Sequence, residues 1–121
     1  MPDTQSSPLQ VDRIYEIAAE LFSLMSTPMR LKIISSLCNG EKSVGELLAE
    51  IQTTQPNMSQ HLSQLYRAGI LARRREGQSM VYRVQNERAV ALCRAVCTQI
   101  AIEIDDPEAM EPAERLILPR T

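Results

Sequence analysis

The chain has no tryptophan, three tyrosines, one phenylalanine and a single histidine among 121 residues. So few rings offer little platform for stacking unpaired bases, which argues against a single-strand binder. No apolar run approaches the ~20 residues a helix needs to cross a bilayer, so no membrane partner is expected. The opening MPDTQSSPLQ lacks a basic stretch followed by an apolar one, so no secretion signal is expected either. Cysteine is scarce and odd in number: Cys38, Cys93 and Cys97. Three such residues without an export signal fit free thiols, metal ligands or redox sensors better than a disulfide framework, and the expected setting is cytoplasmic. A C-x-x-C pair with a βαβ unit to carry it, a Ser/His/Asp set, a paired-carboxylate site and a phosphate-cradling glycine loop are all missing. The expectation is therefore a protein that is not an enzyme and has no obligatory cofactor.

What is present supports one small domain, 44% apolar. Residues 1–9, with Pro2, Ser6, Ser7 and Pro8, read as a disordered arm, residues 10–104 as the folded domain, and 105–121 as an acidic, proline-containing tail. From Val11, the positions Ile14, Tyr15, Ala18, Leu21, Phe22 and Met25 recur at helical spacing. Thr27-Pro28 opens a second helix carrying Met29, Ile33, Ile34 and Leu37 inward, and Asn39-Gly40 stops it. Ser43-Val44-Gly45-Glu46 has the form of a capping box before a short helix with Leu47, Leu48 and Ile51. A fourth helix follows the turn TTQP, with Met58, Leu62, Leu65 and Tyr66 on its buried face and Gly69 as its left-handed stop. Strands are expected at Ile70–Arg74 and Met80–Val84, turning through Glu76-Gly77-Gln78. A last helix spans about Asn86 to Ile104. The order α-α-α-α-β-β-α is mainly α with a small β-hairpin, a winged helix-turn-helix. The first and last helices carry apolar stripes with little left in so small a domain to cover them. A homodimer through those two helices is the natural cover.

Charge is concentrated where this architecture would meet a duplex. Residues 53–88 hold Arg67, Arg73, Arg74, Arg75, Arg83 and Arg88 against Glu76 and Glu87, a balance of +4 in a chain of −2. A local basic patch matters more to phosphates than the overall sign. With Met58, Leu62 and Leu65 inward, the fourth helix shows Asn57, Ser59, Gln60, His61, Ser63, Gln64 and Arg67 outward. Amide side chains can pair with adenine, and Ser and His reach base edges or phosphates. An ordinary solvated face favours Glu and Lys; Asn57–Gln64 has neither. Gln55 and the first free N–H groups of that helix suit a phosphate. Arg73, Arg74 and Arg75, with Gln78 at the turn, would form the grip of the wing, although strand alternation sends Arg74 to the face opposite Arg73 and Arg75. Arg83, beside Tyr82, is structural on this reading, and His61 has no Cys, His or Asp neighbour at helical spacing to make it a metal ligand.

Residues 21–99 resemble the ArsR/SmtB family of small bacterial repressors, through LMSTPMRLKIISSL, SVGELLAEI, QPNMSQHLSQLYRAGIL and RRREGQSMVYRV. The resemblance implies a winged-helix homodimer whose fourth helix reads a palindromic double-stranded operator. It also implies release from DNA on meeting metal ions, metalloids or reactive sulfur. The founding members hold a metalloid with cysteines in the segment matching Glu41-Lys42-Ser43-Val44-Gly45, and here there are none. Their zinc site of carboxylates and imidazoles on the last helix is also missing, because the only histidine lies elsewhere.

Sulfur is what is left for an effector. Cys93 and Cys97, four apart, share one helix face about 6 Å apart, where a soft ion can bridge them but a disulfide is awkward. The segment AVCTQI around Cys97 is similar to the C-terminal cysteine of the family's sulfide- and redox-responsive branch. That branch's partner cysteine matches Ser35, with Cys38 three residues later. A disulfide or polysulfide between Cys97 and Cys38 is the preferred link if the last helix packs beside the end of the second. Each cysteine can also be a small apolar filler, Cys93 above all. Arg94, within a turn of both last-helix thiols, is placed to lower a thiol pKa. The leading expectation is a dimeric repressor released when Cys38, Cys93 or Cys97 is oxidised, persulfidated or ligated. Its rivals are an As(III)/Sb(III) sensor using all three thiolates, a thiol redox or metal-carrier protein without DNA binding, and a constitutive DNA-binding dimer with inert cysteines.

Overall fold

The computed structural model of the chain describes residues 8–105. Its elements are α1 (Pro8–Leu24), α2 (Pro28–Leu37), β1 (Lys42–Ser43), α3 (Val44–Glu50), α4 (Gln55–Arg67), β2 (Leu71–Glu76), β3 (Ser79–Val84) and α5 (Glu87–Asp105). It is mainly helical with a small antiparallel sheet. The arm expected at residues 1–9 and the tail expected at 105–121 lie outside the described residues, apart from their inner edges. Pro8 and Leu9 already belong to α1, where a proline costs nothing because the first N–H groups of a helix have no internal partner.

Local chemistry fixes most boundaries. Thr27 is extended and its hydroxyl accepts from Arg30 N at 3.1 Å, with Pro28 just inside α2. Ser43 and Glu46 close the capping box reciprocally, Glu46 N to Ser43 Oγ at 3.1 Å and Ser43 N to Glu46 Oε1 at 2.8 Å. Each such cap is worth about 1 kcal/mol. Thr54 caps α4 through Asn57 N at 3.2 Å. At the far end Gly69 takes φ 82°, which lets Ile70 N return to the carbonyl of Leu65 at 3.0 Å.

The sheet is one strand larger than the hairpin. β1 pairs antiparallel with β3, Lys42 opposite Tyr82 and Ser43 opposite Val81, giving the order β1-β3-β2. Two residues carry no alternation for sequence to reveal, and only the meeting with β3 makes them a strand. The hairpin itself runs to Glu76 opposite Ser79, closing on Gly77-Gln78 with φ 63° at Gly77. Glycine in the first central position is what a tight two-residue turn of this kind requires.

One core joins these parts. Ile33, Ile34, Leu47, Met58, Leu62, Leu65, Ile70 and Leu71 are fully enclosed. α1 buries no residue, and α5 buries only Ala89 and Cys93. Leu9, Ile14, Tyr15 and Phe22 of α1 and Val96, Ile102 and Ile104 of α5 are exposed. No helix among the described residues is long and apolar enough to cross a membrane.

Candidate nucleic-acid interface

α4 is held in place by what it buries. Met58, Leu62 and Leu65 have no exposed surface, so the helix cannot rotate without leaving the core. Opposite them Gln55, Ser59, Gln60 and Arg67 are exposed, and Asn57, His61, Ser63 and Gln64 half-buried. Tyr66 departs from the expected inward face: it is 38% exposed, and its ring carries the guanidinium of Arg73 at 3.9 Å from the centroid. A phenol can leave the core at modest cost, and the cation over its face repays part of that.

Several of the predicted contact residues already have partners. Asn57 Nδ2 donates to Thr53 Oγ1 at 2.8 Å, which leaves its carbonyl oxygen free. His61 Nδ1 accepts from Arg30 Nε at 3.2 Å, and Gln64 Oε1 accepts from Arg30 Nη2. Burial, followed by the charge of Arg30, holds the pKa of His61 below its ordinary 6.5. Sequence reasoning missed Arg30. An arginine in the first turn of α2 gives no local sign of reaching α4.

The three arginines of the wing separate. Arg74 bonds Glu41 and, at 3.0 Å, Glu76. Those two carboxylates raise its pKa, and Arg74 holds the Glu41 carboxyl below the usual range. Part of its charge is thereby balanced within the chain, unlike that of Arg75. Arg73 lies over Tyr66 and donates to the Tyr82 hydroxyl at 3.5 Å, and the residue stays exposed. Arg75, Arg67 and Gln78 are exposed and have no ion-pair or hydrogen-bond partner among the described residues.

The thiols lie where α5 meets α2. α5 packs along α2: Cys93 Sγ meets the carbonyl of Leu31 at 3.9 Å, and Arg94 donates to the carbonyl of Cys38 at 3.4 Å. Arg94 thus reaches the C-terminus of α2. Cys93 is buried and its Sγ lies 3.8 Å from Cys97 Sγ. Burial first, and Cys97 second, push the Cys93 thiol up to about 11, opposite to what an activated thiolate needs. Cys38 and Cys97 are half-buried, and Cys97 borders a surface cleft that Ser35 also lines. Among the described residues no group of three or more Cys, His, Asp or Glu side chains is gathered to hold a metal ion. The three-thiolate As(III)/Sb(III) site expected at Cys38, Cys93 and Cys97 is not gathered among the described residues.

Comparison with known proteins places this geometry. The profile of the arsR family of bacterial regulatory proteins matches residues 27–73, from the cap of α2 into β2. The biofilm growth-associated repressor of Agrobacterium fabrum is 38% identical over 89 residues, 74% of this chain and 75% of that protein. The crystal structure of the transcriptional repressor BigR from Xylella fastidiosa superposes with a TM-score of 0.70 at 33% identity, over 77% of this chain and 95% of that one. Reduced HlyU from Vibrio cholerae gives 0.68 at 30% identity, over 72% and 92%. The chain belongs to the arsR family of bacterial regulatory proteins, winged helix-turn-helix transcriptional repressors that bind DNA and catalyse no reaction.

Proposed function

We propose that the protein is a homodimeric repressor that lays two copies of α4 into successive major grooves of a palindromic operator and lets go when its thiols are modified. The observation that carries the DNA-reading half is the outward face of α4. It is a ridge of amides and hydroxyls without a single acid, bordered by Arg67, Arg73 and Arg75. Gln55, Asn57, Ser59, Gln60, His61, Ser63 and Gln64 contact bases or phosphates, while Arg67, Arg73, Arg75 and Gln78 hold the backbone. Arg74 shapes the wing through Glu41 and Glu76 and adds little charge to the interface.

The dimer is supported by the exposed stripes of α1 and α5, Ile14, Tyr15, Phe22, Val96 and Ile100 among them. Apolar area removed from water is worth roughly 25 cal/mol per Å², and a second copy supplies the cover that this chain lacks.

For release, the favoured trigger is an oxidant or reactive sulfur species acting at Cys97 with Cys38, two thiols giving up two electrons and two protons to form the link. The packing of α5 along the end of α2 supports that pairing. Partial exposure of both thiols and access to Cys97 from a surface cleft agree with it. The comparable HlyU structure is that of a reduced protein. The test is binding to a duplex from the promoter of its own gene, with thiols reduced and then treated with polysulfide. Reduced protein binds and treated protein releases; Cys97→Ser and Cys38→Ser bind but fail to release. Release of Cys97→Ser by polysulfide would remove the sulfur switch. Release by arsenite that is lost in Cys93→Ser would favour metalloid sensing instead.

A further inference from the structure

Arg30 lies outside the residues assigned to DNA contact, yet its side chain reaches the reading helix. It leaves the first turn of α2 half-buried and spans three elements. Nη1 donates to the carbonyl of Leu24 at the end of α1 at 3.1 Å, Nε to His61 Nδ1 at 3.2 Å, and Nη2 to Gln64 Oε1. A guanidinium has five N–H donors and no acceptor, so every atom it meets here must be an acceptor. Nδ1 of His61 therefore carries no proton, and the proton of the neutral ring is on Nε2. The amide oxygen of Gln64 is likewise turned to Arg30, which leaves its NH2 group for the solvent side.

We propose that Arg30 is a specificity-determining positioning residue. By occupying Nδ1 of His61 and one lone pair of the Gln64 oxygen, it biases this part of α4 towards presenting N–H donors. This rests on the reading of α4 as the base-reading helix. Donors suit the O6 and N7 acceptors of guanine and the O4 of thymine. Adenine is read bidentately by an amide that gives and takes one hydrogen bond each, through N7 and N6–H, and the Gln64 oxygen, already engaged by Arg30 and with one lone pair left, takes that bond less readily. Gln60, exposed and without a partner among the described residues, keeps both atoms and can still read adenine. Two glutamines one turn apart thus read different bases, and the difference originates on another helix.

The bond to Leu24 matters as well. It ties the same guanidinium to the end of α1, so the orientation of His61 and Gln64 is referred to the helix that carries the exposed apolar stripe.

The experiment is selection of bound duplexes from a randomised pool by the full chain and by Arg30→Met, Gln60→Met and Gln64→Met, each checked for folding by thermal melting. The unmodified protein enriches duplexes, and Gln64→Met relaxes preference at a guanine or thymine position. Gln60→Met relaxes it at a different one. Arg30→Met frees the Gln64 oxygen, and adenine rises about tenfold in relative preference at the Gln64 position, on the scale of one good bidentate contact. Arg30→Lys, which offers one donor centre in place of a fork, shifts preference in the same direction and serves if Arg30→Met does not fold. Uniform weakening by the Arg30 variants with an unchanged base profile would mean that Arg30 only supports the fold. An adenine preference already lost in Gln64→Met would also overturn the proposal. If the unmodified protein enriches no duplex, the failure lies in the DNA-reading proposal itself, and this one goes with it.

Discussion

The inner helices and the outer pair solve the burial problem in opposite ways. α2, α3 and α4 enclose Ile33, Ile34, Leu47, Met58, Leu62 and Leu65 completely, with Ile70 and Leu71 completing the core after α4. α1, 17 residues long, encloses nothing, and α5 contributes only Ala89 and Cys93 over 19 residues. The inner region is a finished fold. The outer helices have the periodicity of a core layer and leave much of that stripe exposed. The thiols lie on the seam between the two regions, Cys93 on its buried side and Cys97 near its rim. The contrast teaches that a position able to orient side chains of α4 need not be on it, because Arg30 joins the end of α1 to His61 and Gln64.

The largest effect that would sharpen this contrast is in the inner region. Leu62→Ala should cost about 2–5 kcal/mol in urea unfolding, since the residue is wholly enclosed and leaves a cavity. A loss under 1 kcal/mol would show a looser core than described. Next, the two α5 thiols should differ in alkylation at pH 8. A thiol at about 11 has a few hundredfold less thiolate there than an ordinary one, so Cys93 should be modified by that factor more slowly than a free cysteine. Equal rates would place Cys93 outside the core. In the outer layer, Phe22→Ser should leave the melting of the dilute chain nearly unchanged and weaken dimerisation by roughly ten- to a hundredfold in sedimentation, the worth of one buried aromatic side chain. An unaltered dissociation constant would move the dimer interface elsewhere. At the wing, Arg75→Ala should lower DNA affinity across sequences and reduce the salt slope by about one, whereas Arg74→Ala should change the slope by clearly less. A reversed order would contradict the pairing of Arg74 with Glu41 and Glu76.

The smallest effect is with pH. His61 is held below its ordinary 6.5, so the unfolded chain takes up a proton that the folded one resists. Stability is complete above about 6.5 and falls as pH drops from there towards the lowered folded value. His61→Gln should flatten that slope in unfolding measured between pH 7 and 5. An unchanged slope would assign it to other groups.

The positions of the helices followed from local rules: Thr27-Pro28, the Ser43–Glu46 box, Gly69 and the apolar spacing within α4 each act within one or two turns. The outward face of α4 was legible for the same reason, since fixing Met58, Leu62 and Leu65 inward fixes everything opposite. Tyr66 was misjudged because an amphipathic ring at the edge of a stripe obeys its neighbours; here the neighbour is Arg73. β1 was invisible because two residues have no period.

The sequence by itself determined the class of fold, the polar outward face of α4, the basic hairpin and the uncovered outer stripes, all of which depend on spacing along one element. The tertiary structure alone decided which polar atoms are still available. Arg30 meets His61 and Gln64 across 31 and 34 residues, and Arg74 meets Glu41 across 33. Such pairings depend on how whole elements dock, which is set by the shape of the shared core, so no short-range pattern in the chain records them.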